Sequence, residues 1–176
     1  MLIHRYDAPD RFVAGTVGSP GERTFFLQAR EGNRLTSVSL EKEQVSVLAE
    51  RVEELLAQVE QDGEVDVPAD ETAASDRSPL DQPIEEEFKV GTMTLAWDDT
   101  AGTLTIEAFA LTENEEDEAT DCLVVGLEPA AAASFARRAE SVVSAGRDQC
   151  PFCGGPIEVS GHICPRANGF RRVIRD

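Results

Sequence analysis

Three strand-like segments followed by one helix-like segment occur twice in succession, and this ordering restricts the fold more than any other feature of the sequence. In the first run, Arg11 to Gly18 ends in the turn Gly18-Ser-Pro-Gly21, Arg23 to Ala29 follows, and Glu31-Gly-Asn33 turns the chain into Arg34 to Ser39. From Glu41 to about Val59 the period changes. Val45, Leu48, Val52, Leu55, Leu56 and Val59 recur at spacings of three and four, the signature of one apolar helical face. In the second run, Glu87 to Trp97 alternates, Asp98-Asp-Thr-Ala-Gly102 supplies a turn, and Thr103 to Leu111 alternates again. Cys122 to Leu127 reads as a short buried strand, and Glu128 to Ala145 as a helix with Pro129 in its first turn.

The two runs can be placed in register. At an offset of 87 residues, Val38-Ser-Leu-Glu41 falls on Val125-Gly-Leu-Glu128, Leu48 on Phe135, Ala49 on Ala136 and Leu55-Leu56 on Val142-Val143, without a gap. Two amphipathic helices share a burial period whatever their origin. The strand and the Leu-Glu junction shared with them point further, to an internal duplication. The expected architecture is α+β: two β-β-β-α units forming antiparallel sheet with two covering helices. Residues 1–60 are the first unit and 87–149 the second, with residues 61–86, rich in acids and containing Pro68, Pro79 and Pro83, as a linker or long surface loop.

Beyond residue 149 the pattern gives way to a metal-ligand spacing. Cys150-Pro-Phe-Cys153-Gly-Gly155 sets two thiolates three positions apart in a tight turn, where glycine lets backbone amides approach sulfur. Gly161-His-Ile-Cys164 then returns an imidazole and a third thiolate. Tetrahedral nitrogen and sulfur coordination is the preference of zinc, and thiolates disfavour magnesium and calcium, so Cys150, Cys153, His162 and Cys164 are the expected ligands of one Zn²⁺. A closed sphere of three cysteines and one histidine is a structural site that folds a tail too short for its own core. Of the four, His162 is the conditional ligand, because residues two apart on a strand need a bend to converge on one ion. A water, His4 or a carboxylate from the body is the alternative.

Charge narrows the choice of partner. The net charge is −18, so a phosphate backbone meets mostly repulsion, and nucleic-acid binding is not expected of the chain in general. The sign reverses locally, because Arg166, Arg171, Arg172 and Arg175 give residues 150–176 a charge of about +2 against about −20 elsewhere. Docking of that tail on the acidic body is the expectation. The sequence has no apolar run of the roughly 20 residues that a membrane span requires and no signal peptide, so a cytoplasmic protein is expected. His4 reads as a surface residue near a terminus, with a polar site shared with Asp98 or Asp99 as the alternative, and Cys122 as a buried core thiol.

The ending CPFCGGPIEVSGHICPRANGFRR and the opening RFVAGTVGSPGERTFFLQA resemble an actinobacterial family of uncharacterised proteins of about this length. The resemblance covers most of the chain and implies no activity. It does imply gene neighbours, a phosphatidylinositol-kinase-like protein and a histidine-phosphatase-like protein, and hence a protein partner. The expectation is a non-enzymatic interaction or adaptor protein with a structural zinc. A metal-dependent enzyme, in which His162 does not ligate and the zinc opens into a cleft, stays open as a second reading, and a nucleic-acid-binding zinc ribbon as a third.

Overall fold

The structure is a computed structural model that describes residues 1–19, 21–63, 65–67 and 76–145, with the backbone alone of 148–149, 156–157, 162–163 and 172–173. It is mixed α+β. One compact unit comprises Met1–Val17 and Thr24–Val143; the other comprises Gly18–Arg23 and Ser144–Asp176.

The first unit is built on one sheet of seven strands: β1 (Leu2–Tyr6), β2 (Arg11–Val17), β3 (Thr24–Glu31), β4 (Arg34–Leu40), β5 (Glu86–Asp98), β6 (Thr103–Ala110) and β7 (Asp121–Leu127). Across the sheet they run β1-β7-β6-β5-β4-β3-β2. Neighbours are antiparallel except at two seams, where β5 lies parallel to β4 and β1 parallel to β7. Helix α1 (Lys42–Gln61) follows β4, and α2 (Pro129–Ser144) follows β7. The offset of 87 residues carries the bounds of β4 onto those of β7 and the first residue of α1 onto that of α2.

β1 and β2 are the opposite edges of this sheet, yet only Asp7 to Asp10 separates them in the chain. Six interstrand spacings on a flat sheet would span roughly 29 Å. Five Cα steps from Tyr6 to Arg11 reach at most roughly 18 Å. The sheet must therefore curl until its edges approach one another. Contacts across the curl agree: the Tyr6 hydroxyl lies 2.7 Å from Thr36 Oγ1 on β4, and the Arg34 guanidinium sits 4.1 Å from the Tyr6 ring centroid. Arg34 also donates to the carbonyl of Arg5.

The helices pack on the inward face. Tyr6, Phe12, Leu27, Val38, Ile106 and Val125 from the strands form one cluster with Val45, Leu48, Val52 and Leu56 of α1 and with Ala132, Phe135, Ala136 and Ala139 of α2. Although α2 follows β7, its Phe135 stacks on Phe12 of β2, with ring centroids 4.7 Å apart. At the start of α1 the Glu41 amide donates to Gln44 Oε1 at 2.7 Å. The Gln44 amide nitrogen reaches the carbonyl of Gly91, where the β5–β6 register shifts between Val90 and Met93.

β1 has no counterpart in the sequence reading. Leu2 and Ile3 are exposed and Tyr6 alone of its residues is buried, so the strand shows none of the alternation that reveals the others. It is added by pairing with β7, Leu2 opposite Asp121 and Tyr6 opposite Val125.

The tight link after β1 generates a test. A Cβ on Gly126 would lie 2.9 Å from the carbonyl oxygen of Asp7. Gly126→Ala is expected to destabilise the fold by about 1–3 kcal/mol through overpacking against backbone, read as a lower urea midpoint. An unchanged midpoint would mean that the link moves freely.

Candidate functional site

Of the expected zinc ligands, Cys150, Cys153 and Cys164 lie outside the described residues. The backbone of His162 belongs to the short strand β10 (His162–Ile163), paired antiparallel with β11 (Arg172–Val173); its side chain is not among those described. A similar two-residue pairing joins β8 (Asp148–Gln149) to β9 (Pro156–Ile157).

Among the described residues, chemistry-bearing side chains gather at two places. The first is where β1, β5 and β7 begin. β6 departs from between β5 and β7 after Ala110, its last pairing with β5 being to Val90 and with β7 being Phe109 to Cys122. Past that point Glu87 on β5, Asp121 on β7 and His4 on β1 converge. His4 Nε2 is 3.2 Å from Asp121 Oδ1 and 4.0 Å from Glu87 Oε1. One ligand atom from each residue lies within 4.8 Å of the other two. The Phe88 ring, its centroid 6.1 Å from that of His4, forms an apolar side. Hydrogen bonds from the side chains of Thr120 and His4 hold the Asp121 carboxyl below the usual carboxylate range, so it is ionised at neutral pH. His4 is thus only 16% exposed rather than a surface residue. Asp98 and Asp99 lie at the far end of β5, where Asp98 Oδ1 accepts the amides of Thr100 and Ala101 in the hairpin turn, and take no part.

The second gathering clasps residues 76–81 over the edge strand β2. All five N–H donors of Arg11 are engaged: Nε and Nη2 hold the two oxygens of Asp76 at 2.6 and 3.1 Å, and the others reach Asp81 Oδ2 and the carbonyls of Ser78 and Pro79. Arg138 of α2, buried, donates from Nε to the Ala14 carbonyl of β2 at 2.7 Å and from Nη1 to the Ser78 and Asp76 carbonyls. On the outward face of the sheet the Gln28 amide serves residue 81 as a strand would, donating to its carbonyl at 3.0 Å and accepting its amide at 2.7 Å. Leu80 packs there against Val13 and Phe26, so closely over Gly15 that a Cβ at that position would fall 2.5 Å from its side chain. Residues 76–81, within the stretch 61–86 read as a linker or long surface loop, are therefore fixed structure. A groove of about 770 Å³ opens beside the clasp, with Arg77, Arg137, Thr16 and Ser141 in its walls.

These partners are 53 to 124 residues apart, beyond what spacing alone can join. One local signal existed. Arg138 stands inside the apolar stripe of Ala132, Phe135, Ala136 and Ala139, a position where a cation needs a partner. Cys122 is buried, and burial pushes its thiol pKa up, the state of an unreactive core cysteine.

The clasp carries a pH dependence. The hydrogen bond with Arg11 is the main cause that holds the Asp76 carboxyl below its ordinary value. A depressed carboxylate contributes stability above its unfolded pKa and loses it as pH falls through the folded one. Asp76→Asn is expected to cost about 2–3 kcal/mol at pH 7, less than a fully buried pair because Asp76 is about one-third exposed. The gap from wild type should begin to close below about pH 5 and go on closing as the pH falls through and below the ordinary carboxylate range in urea titrations. A gap independent of pH would contradict the assignment.

No curated protein and no solved structure matches the chain. The family described as Protein of unknown function (DUF3090) matches residues 4–164, a span that takes in the whole seven-stranded sheet except its first two residues. The chain belongs to the DUF3090 family.

Proposed function

We propose that the protein is a zinc-binding interaction protein, in which the curled α+β unit is a scaffold and residues 150–164 hold a structural Zn²⁺ through Cys150, Cys153, His162 and Cys164. The observation that carries this reading is the ligand spacing together with the backbone around it. β8 and β9 are antiparallel partners, and the chain that joins them, residues 150–155, contains Cys150 and Cys153. β10 and β11 are a second such pair, and Cys164 is the first residue after β10. Paired backbone on both sides of the segment that carries Cys150 and Cys153, and again at His162 next to Cys164, supports a four-ligand zinc knuckle.

Three cysteines and a histidine leave the ion electron-rich and without an open position, which favours a folding role over Lewis-acid catalysis. The proposed partner is a protein, of the phosphatidylinositol-kinase-like class that the family resemblance implies, met in the cytoplasm. The matched offset of β4 with β7 and of α1 with α2 supports descent of the two β-β-β-α units from one duplicated ancestor.

Metal analysis of the purified full chain tests the zinc. Wild type is expected to carry about one zinc per chain, Cys153→Ser to lose it, and His162→Ala to hold it more weakly, with protection of the C-terminal amides falling in parallel. Zinc-free wild type that is unchanged in stability on adding Zn²⁺ would sink the proposal. Co-purification with the kinase-like neighbour at equal stoichiometry, lost on zinc removal, is the expected result for the adaptor role.

A further inference from the structure

His4, Glu87 and Asp121 are chemically distinct from the cysteine-rich segment and need nothing from it. We propose that these three side chains form a separate binding site for a first-row divalent transition-metal ion, with water completing its coordination.

The backbone prepares the site. β6 ends at Ala110 and leaves the starts of β5 and β7 facing one another across the width of a missing strand, so Glu87 and Asp121 look into the same space, and parallel β1 supplies His4 from the far side of β7. Ligands about 2.1 Å from one ion stand roughly 3–4.2 Å apart. His4 Nε2 and Asp121 Oδ1, at 3.2 Å, already meet this, and His4 Nε2 and Glu87 Oε1, at 4.0 Å, lie within it. The widest separation, within 4.8 Å, needs only a small rotation of Glu87, whose side chain is 47% exposed and free to turn.

Donor type selects the cation. One imidazole with two carboxylates suits Mn²⁺, Fe²⁺ or Zn²⁺ better than Ca²⁺ or Mg²⁺, which favour oxygen alone. Two carboxylates beside one imidazole nitrogen leave more acceptors than that nitrogen can serve with a single proton; a dication answers all three. The Thr120 side chain holds Asp121 from outside the ligand set, the support that orients a ligating carboxylate. The loop from β6 to β7 adds Glu113, Glu115, Glu116, Asp117 and Glu118, a field that draws cations toward the opening.

The full chain, given one equivalent of Zn²⁺ beforehand so that the thiolates, the stronger zinc ligands, are occupied and no zinc is left over, would be titrated with Mn²⁺ and the free ion counted by electron paramagnetic resonance. Soft thiolates do not retain Mn²⁺. The expected result is saturation at about one Mn²⁺ per chain, weakened at least about tenfold in Glu87→Gln and in Asp121→Asn and by no more than about twofold in Glu115→Gln/Glu116→Gln, which lowers only the surrounding field. Glu87→Gln exchanges a carboxylate for an amide of the same shape on a half-exposed side chain, so its metal-free thermal midpoint should match wild type and separate loss of binding from loss of fold. Absence of saturable binding, or equal loss in the Glu115/Glu116 variant, would overturn the site and leave only diffuse attraction to an acidic surface. The result stands or falls independently of whether residues 150–164 bind zinc.

Discussion

Four residues, Asp7 to Asp10, set the shape of the whole sheet. They join strands that occupy its two edges, and the reach of a chain that short is incompatible with a flat sheet of seven strands. Curling gives the sheet an inward face, and that face is where both helices go. It also explains a packing that the chain order would not lead one to expect: α2 follows β7 but stacks Phe135 on Phe12 of β2, because the curl brings the first edge within its range. The Tyr6 hydroxyl and the Arg34 guanidinium then fasten the ends of the curve, one inside and one over the ring.

A curled sheet that does not close by hydrogen bonds keeps its edges, and exposed edges pair with other chains. On β2 this is handled with charge. Arg138 takes up the free carbonyl of Ala14, and Arg11 holds the covering segment through Asp76 and Asp81. Both guanidiniums are nearly buried, an arrangement tolerated only because their N–H groups meet carboxylates and carbonyls. In a chain of net charge −18, cations are scarce, and two of the sixteen Lys and Arg residues are committed to one strand edge.

What was legible from the sequence follows the distance over which the physics acts. The helices were readable because burial repeats every three to four residues in Val45, Leu48, Val52 and Leu56, and β2 to β7 because turns, alternation and apolar runs are local. β1 was not, since pairing with β7 rather than an apolar face makes it a strand. The clasp was hidden because Asp76 and Arg11 are 65 residues apart, and the acidic stretch around Asp76 has the composition of a loop. His4 and Asp121, separated by 117 residues, are joined only by strand order. The cysteine spacing, by contrast, is itself local and was plain.

The parallel seam between β1 and β7 has a consequence for how the molecule is made. β1 is made before the other strands of its sheet, and its partner, residues 121–127, follows more than a hundred residues later. At about 5–20 residues per second, the N-terminal strand waits several seconds without a neighbour. Closure of the curve, and with it the meeting of His4 and Asp121, has to wait until residues 121–127 are made: a chain released before residue 121 would carry every part of the first half and still lack the strand that receives its own beginning.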